Sequence, residues 1–351
     1  MTDPLAAGLA AMDAEYFAKK EVPNKAVIRA RCRAMVRSYH KVWEYDNKRY
    51  AVIGAEKLLM GPLYNLETMR DSGYLMAGKL DLILKEKGGR NRTICMDHKA
   101  LSSGFDESDI EHLLISGQQC QYSVLGWTNG IKFDAAIWDI CCKSLHVPRK
   151  ESILKGKPSR IASRKTTING VVYLNGQTVP AVTDTVTPGE TMEEFEERVY
   201  QLYIENPSKY FARPEVPIIK ENTAAHMHEL YLYVKEMEMD SKSSIHLRNP
   251  DACLQYGRAC EFLGLCSGRS HEKDGTWTTK AQLHPELEVP DGIDPHRLIS
   301  NSRMATYRAC RLKHHRKFNQ GLVRIKEEHD DALFIGSAFH LAMEHYWRNL
   351  N

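Results

Sequence analysis

GKLDLILKEKGGRNRTICMDHK, residues 78–99, holds two apolar runs, Leu80 to Leu84 and Thr93 to Met96, on either side of a Gly88-Gly89 turn set among charges. The pattern predicts a β-hairpin. Asp81 stands at the start of its first strand, Asp97 and Lys99 at the end of its second. Residues two apart on a strand share a face, so Asp97 and Lys99 point the same way, and the partner strand can bring Asp81 beside them. Hard oxygen ligands of this kind hold Mg²⁺ or Mn²⁺. A lysine next to such a metal can orient or deprotonate a water and offset charge on a phosphate. The same residues also fit a hairpin whose terminal charges are simply solvated.

Working outward, Arg49 to Met60 predicts a strand with Glu56 inside it, an acid that is costly to bury without a partner; a surface-facing glutamate is the other reading. After Lys99 the chain loosens through Ser102, Ser103 and Gly104, and a helix is predicted from Asp109 to Trp127. On it Gln118 and Tyr122 are four apart and share a face. The order G-x-x-D (Gly78 to Asp81), then D-x-K (Asp97 to Lys99) closing an apolar strand, then Q-x-x-x-Y (Gln118 to Tyr122) resembles the PD-(D/E)XK nucleases, in particular their RecB-like branch. The resemblance implies an α/β fold with a mixed central β-sheet flanked by helices, a restriction-endonuclease-like core. It implies Asp81 and Asp97 as metal ligands, Lys99 as the residue that positions or activates water, and Gln118 and Tyr122 as orienting groups. It also implies Glu56 as an accessory acid.

The bulk composition is compatible with that reading. The chain has 351 residues and 42% apolar content, enough for a large core. No run of about 18 uncharged apolar residues occurs, so no membrane span is expected. The polar, acidic start MTDPLAAGLAAMDAEYF does not read as a signal peptide, and the expected location is cytoplasmic. Forty-eight basic against 45 acidic residues give a net charge of +3, so the overall balance does not announce a nucleic-acid binder. Three local clusters suit a phosphate backbone better. They are Arg29, Arg31, Arg33 and Arg37; Lys155, Lys157, Arg160, Arg164 and Lys165; and Arg308, Arg311, Lys313, Arg316 and Lys317. Each could equally be a solvated face.

Helices are predicted over residues 3–45, with Asp3-Pro4 as a cap and Pro23 dividing two segments, over Thr191 to Asn206 and over Asn222 to Met239. Phe133 to Cys142 predicts a strand of the same sheet. Lys143 to Pro188 turns polar and strand-poor apart from Gly170 to Leu174. It reads as an excursion over a substrate cleft, with the second basic cluster as its DNA-binding residues.

Nine cysteines in a chain expected to be cytoplasmic argue for thiols or metal rather than disulfides. Cys32, Cys95, Cys120, Cys141 and Cys142 fall in apolar or helical patterns. Cys253, Cys260 and Cys266 cluster in a loop-like stretch without the C-x2-C pairs usual for zinc. An iron-sulfur cluster needs a fourth thiol, and Cys310 is the candidate. Zinc and plain thiols remain alternatives. RecB-like nucleases with a cluster place one cysteine early and three late, and the resemblance implies a [4Fe-4S] site here. The first gap departs from their more common C-x2-C-x5-C spacing.

Residues 298–351 resemble the opening of such a nuclease, with Ser-x-Ser, the early cysteine and a helix carrying G-x-x-x-H, here Gly336 and His340. The resemblance implies His340 as the remaining metal ligand. In this chain the segment comes last. The expected division is a nuclease core over 1–266, a linker over 267–297 and the N-terminus-like segment over 298–351, packing on the same core. A circular permutant, a piece of a tandem protein and a gene read from an opened circle all fit. The function implied is Mg²⁺- or Mn²⁺-dependent hydrolysis of DNA, as an exonuclease in recombination, repair or phage DNA processing, with a helicase or recombination protein as a candidate partner. A non-catalytic DNA-binding or assembly subunit is the rival.

Overall fold

The four main strands of the central sheet carry apolar residues on both faces. Tyr50–Tyr64 (β1), Asp71–Glu86 (β2) and Thr93–Leu101 (β3) form an antiparallel meander. Ala135–Cys142 (β4), buried at every position, adds in parallel to β3. The excursion that follows contains Ser152–Leu154 (β5), Arg160–Ile161 (β6), Thr166–Ile168 (β7), Val171–Tyr173 (β8), Thr178–Val179 (β9) and Thr185–Thr187 (β10), none of them in the central sheet. Phe211–Ala212 (β11) and Glu215–Val216 (β12) pair antiparallel with β4, and Leu298–Ile299 (β13) pairs in parallel with β2. The result is a seven-stranded mixed sheet, the α/β architecture expected of a PD-(D/E)XK core. The computed structural model describes residues 3–18, 24–89, 91–101, 105–155, 157–168, 171–183, 185–255, 258–325 and 331–350.

Eight helices position the site: Pro4–Ala11 (α1), Lys25–Val42 (α2), Glu107–Leu114 (α3), Gly117–Thr128 (α4), Met192–Glu205 (α5), Lys220–Ser241 (α6), Asn301–Ala309 (α7) and Asp331–Arg348 (α8). Asp3 caps α1 ahead of Pro4, and Thr191 with Glu194 forms a capping box on α5. Leu82, Leu84, Ile94 and Met96 point to one side of the sheet, where α2, α5 and α8 supply Met35, Tyr39, Phe195, Phe339 and Trp347. Ile83 and Cys95 point to the other, against Tyr122 and Leu125 of α4, Leu230 of α6 and Met304 of α7. Full burial of a side chain such as Phe339 contributes about 1.5–3 kcal/mol, so two such cores suffice to hold the sheet rigid.

Two segments differ from expectation. The helix expected over Asp109 to Trp127 is two helices parted at Ile115 and Ser116, because Ser116 caps α4 by accepting from the Gln118 amide. Gly117 there leaves room for the His226 ring, which a Cβ at that position would strike. The stretch 267–297, expected as a linker, is packed rather than loose. Trp277–Thr279 forms a short ladder with Leu322–Arg324, Trp277 stacks on Phe262 at 5.3 Å, and Leu287 is buried beside Ala77 and Leu298. Pro23, the Ser102-Ser103-Gly104 stretch and Gly170 lie outside the described residues.

Candidate active site

β2 and β3 pair from Lys85 and Thr93 to Leu82 and Met96 and then give way to the acids. Beyond Met96 the His98 amide donates to the Asp81 carboxylate at 2.7 Å, which fixes that side chain against the end of β3. Asp97 and Lys99 share a face as alternate residues of β3, and Lys99 Nζ lies 2.5 Å from Asp97 Oδ2. The break before α4 puts Gln118 in the first turn of that helix. From there its amide nitrogen donates to Asp97 Oδ1 at 2.9 Å and to the Tyr122 hydroxyl oxygen at 2.8 Å, while its carbonyl oxygen accepts from Lys99 at 3.2 Å. Tyr122 in turn donates to the Lys79 carbonyl on β2 at 3.0 Å. Lys99 also stands 4.7 Å over the Trp138 ring. Its ammonium is therefore held on three sides, with a part-exposed tip.

His340 arrives from α8. Its Nδ1 lies 3.7 Å from Asp81 Oδ2, across some 260 residues of sequence. Burial, followed by the neighbouring His98, Lys99 and Lys143 charges, holds the imidazole well below its usual range, so at neutral pH it is an uncharged nitrogen donor although 38% of the side chain remains exposed. Burial first, and then the Asp97 and Glu56 carboxylates, push the Asp81 carboxyl up to about 8. Glu56 has φ of +51°, a left-handed conformation in the middle of β1. Burial raises its carboxyl as well, and Lys79 opposes the shift from 3.1 Å. Glu56, Asp81, Gln118, Tyr122 and the Ser300–Ser302 segment line one cleft of about 470 Å³.

Among the described residues, no three His, Cys, Asp or Glu side chains are already drawn together as a metal-ion site. The donor set nevertheless fits a divalent cation. Asp81 lines that cleft with Glu56 and stands beside Asp97 and the neutral His340 imidazole, which lie behind the lining, and it is a nearly buried acid for which the chain itself supplies too little positive charge.

A second network lies behind the first. His98 Nδ1 lies 2.8 Å from Asp139 Oδ2, to which the Tyr39 hydroxyl also donates, at 2.6 Å. Arg213 donates to Asp139 Oδ1 at 2.7 Å, to Asp46 at 2.8 Å and to the Tyr39 hydroxyl oxygen at 2.7 Å, and its guanidinium stacks 3.8 Å from the Trp43 ring. Burial would raise the Asp139 carboxyl, but Arg213 and His98 outweigh it and hold the group far below its usual range. Burial opposes a proton on His98, yet Asp139 draws its pKa upward. These residues, which no motif reading singles out, fasten β3 to β4, α2 and the β11–β12 turn.

Cys253, Cys260, Cys266 and Cys310 all line a single cavity of about 200 Å³, bordered by Phe262 and Lys313. Burial pushes the Cys266 thiol up, opposed by Arg316 and reinforced by the other three thiols. Cys32, Cys95, Cys141 and Cys142 are buried in the cores, whereas Cys120 is partly exposed on α4.

The basic clusters separate. Arg29 and Arg33 bind Asp13, Arg33 and Arg37 bind Glu196, Arg37 also binds Glu197, and Arg31 donates to the carbonyls of Leu145 and His146. That cluster is a helix-packing device. In the third, Arg311 binds Glu236 and Asp240. Lys155, Lys157, Arg160, Arg164 and Lys165 are exposed, and among the described residues Lys155, Lys157, Arg160 and Lys165 have no ion-pair partner.

Residues 298–351, the stretch of β13, α7, Cys310 and α8 with His340, match the family model of the PD-(D/E)XK nuclease superfamily. No curated protein matches the chain.

Proposed function

We propose that this protein is a metal-dependent deoxyribonuclease that hydrolyses phosphodiester bonds where β2 and β3 meet α4 and α8. One observation carries the reading. His340, within the stretch that matches the nuclease family, stands 3.7 Å from Asp81, the first acid of a hairpin that the match does not include. Asp81, Asp97 and His340, with Glu56 at the margin, would hold Mg²⁺ or Mn²⁺. When bound, the cation supplies Lewis-acid polarisation of a phosphoryl oxygen and favours ionisation of the attacking water.

The chain's own groups do the rest. Lys99, kept in place by Asp97, Gln118 and Trp138, orients the water toward phosphorus and offsets negative charge as the P–O bond breaks. Gln118 links that lysine to Asp97 and, through Tyr122, to β2, so the nucleophile and metal sides keep a fixed spacing. Neutral His340 offers a lone pair to the cation. The basic excursion with Lys155, Lys157, Arg160, Arg164 and Lys165 would hold DNA.

Cys253, Cys260, Cys266 and Cys310 would bind a [4Fe-4S] cluster, clasping the segment before the packed stretch 267–297 to α7. The common cavity and the all-thiol donor set support this. A core over 1–266 completed by 298–351 in permuted order accounts for the early motifs coming last. An exonuclease acting in recombination, repair or phage DNA processing, beside a helicase or recombination protein, is the setting this chemistry suits. Among the described residues no helix is long and apolar enough to cross a membrane.

Purified protein with Mg²⁺ or Mn²⁺ should cleave labelled DNA, and Asp97→Ala or Lys99→Ala should lower the rate by roughly 10³-fold or more. Equal cleavage by all three proteins would sink the reading. Resistance of closed circular DNA would mark an exonuclease. Iron content and visible absorbance after anaerobic purification test the cluster, and colourless zinc-loaded protein would exclude it.

A further inference from the structure

The excursion between β4 and α5 is built as one object. β5 pairs with β10, β6 with β9 and β7 with β8, each antiparallel. Between Leu154↔Thr185 and Arg160↔Val179 five residues intervene on either strand, and between Ile161↔Thr178 and Thr166↔Tyr173 four intervene on either strand. The three ladders therefore keep a single register. Backbone bonds bridge the gaps, from the Val182 amide to the Lys157 carbonyl at 2.8 Å and from the Ala162 amide to the Gln177 carbonyl at 2.9 Å. Among the described residues the excursion is a two-stranded β-ribbon, its outgoing strand holding 152–155 and 157–168 and its return strand 171–183 and 185–187. Its base is fastened, because the Glu190 amide donates to the Arg149 carbonyl, the Arg149 amide donates to the Glu190 carboxylate, and Arg198 grips both that carboxylate and the Val147 carbonyl.

Beyond that base the ribbon is nearly all exposed. Ala162 and Val179 are buried, but Ile153, Ile161, Val171, Val172 and Val186 are each about half exposed or more. An isolated two-stranded ribbon is marginal in water and gains from a surface to lie on. The charges are one-sided: Lys155, Lys157, Arg160, Arg164 and Lys165 all sit on the outgoing strand, and residues 171–187 contain no lysine or arginine. A ribbon with one cationic edge and β-branched faces matches a groove bounded by phosphates.

We propose that this ribbon grips duplex DNA by lying in the major groove with its outgoing strand along one phosphate backbone. The purpose of the grip rests on the nuclease reading above; the binding itself does not. The major groove of B-form DNA is about 12 Å wide and admits a two-stranded ribbon, whereas that of A-form RNA is too deep and narrow for side chains to read. Non-specific single-strand binders rely on aromatic platforms, and the ribbon's sole aromatic residue is Tyr173.

The test uses the full chain in EDTA, so that cleavage plays no part, with a DNA duplex, the matching single strand and an RNA duplex of the same sequence. The wild-type protein should bind the DNA duplex tightest. A Lys155→Gln/Lys157→Gln/Arg160→Gln variant should weaken duplex binding at least about tenfold and reduce the log–log salt slope by roughly 2.7, about 0.9 for each phosphate no longer neutralised. An unchanged thermal melt confirms that this variant is folded. A second variant, with 152–187 replaced by a short Gly-Ser link above the Arg149–Glu190 base, should lose the duplex preference. Unchanged duplex affinity and slope in the folded variants would overturn the proposal. So would an equal loss on single strands, a preference for the RNA duplex, or a wild-type dimer that deletion of the ribbon abolishes. Failure of the nuclease reading looks different: duplex binding that needs the ribbon, with no cleavage when Mg²⁺ is restored.

Discussion

Asp81, nearly buried, and Asp139, wholly buried, lie on neighbouring parts of one sheet and both touch His98, yet their surroundings drive them in opposite directions. Asp139 receives the Arg213 guanidinium, the His98 ring and the Tyr39 hydroxyl, and its carboxyl falls far below the usual range. Asp81 receives one backbone amide from His98 and faces Asp97 and Glu56, and its carboxyl rises to about 8. Burial acts on both alike, so the partners decide the sign. Where the chain supplies its own cations the carboxylate is structural. Where it withholds them, the charge is left for something from outside, and a divalent cation is what the adjoining His340 and Asp97 suit.

The contrast between the two acids breaks most visibly at Arg213. Arg213→Met should leave Asp139 and Asp46 buried without their counter-ion and cost about 3–5 kcal/mol in denaturant unfolding. A change below about 1 kcal/mol would mean that the network is not what fastens β3 to β4. The opposite sign is expected at Asp81. Its folded pKa lies above the unfolded value near 3.8, so the folded state holds the proton more tightly, and its contribution turns unfavourable as pH rises from about 4 to about 8. Asp81→Asn should therefore stabilise the metal-free protein at pH 9 by on the order of 1–3 kcal/mol, change little at pH 4 and abolish cleavage. Thermal melts at the two pH values check this, and equal shifts at both would refute it.

The smallest effect is expected at Gly78, where an added Cβ would sit 2.7 Å from Tyr122 Cε1. Gly78→Ala should cost about 1–2 kcal/mol and lower cleavage roughly tenfold by displacing Tyr122 and with it Gln118. Full activity in a destabilised variant would separate Tyr122's packing from its place in the site.

What could be read from the sequence was what sits close together in it. Asp97 and Lys99 are alternate strand residues, and Gln118 and Tyr122 are one helical turn apart, so period alone puts each pair on one face. The central sheet followed from its apolar runs. Arg213, Asp139 and His98 had no such signal, because their partners come from α2, β4 and the β11–β12 turn and meet only in three dimensions. The break between α3 and α4 turns on Ser116, which caps α4, and the fit of Gly117 beneath His226 of α6 is a contact no local pattern shows. Glu56 read as an awkward strand acid, and its left-handed backbone is the irregularity that accompanies its turn toward the cleft. The first arginine cluster resembled a phosphate surface because its partners, Asp13, Glu196 and Glu197, belong to other segments. The excursion read as strand-poor because its ladders are two or three residues long, and only their shared register makes them one ribbon.

The claim that Asp81 and Asp97 await a cation that Asp139 does not need is tested most directly by Mn²⁺ titration of metal-free protein at pH 7, read by electron paramagnetic resonance and by proton release. The wild-type protein should show saturable binding accompanied by proton release, and Asp81→Asn/Asp97→Asn should show neither at this site. Equal Mn²⁺ binding by the two folded proteins would contradict the account.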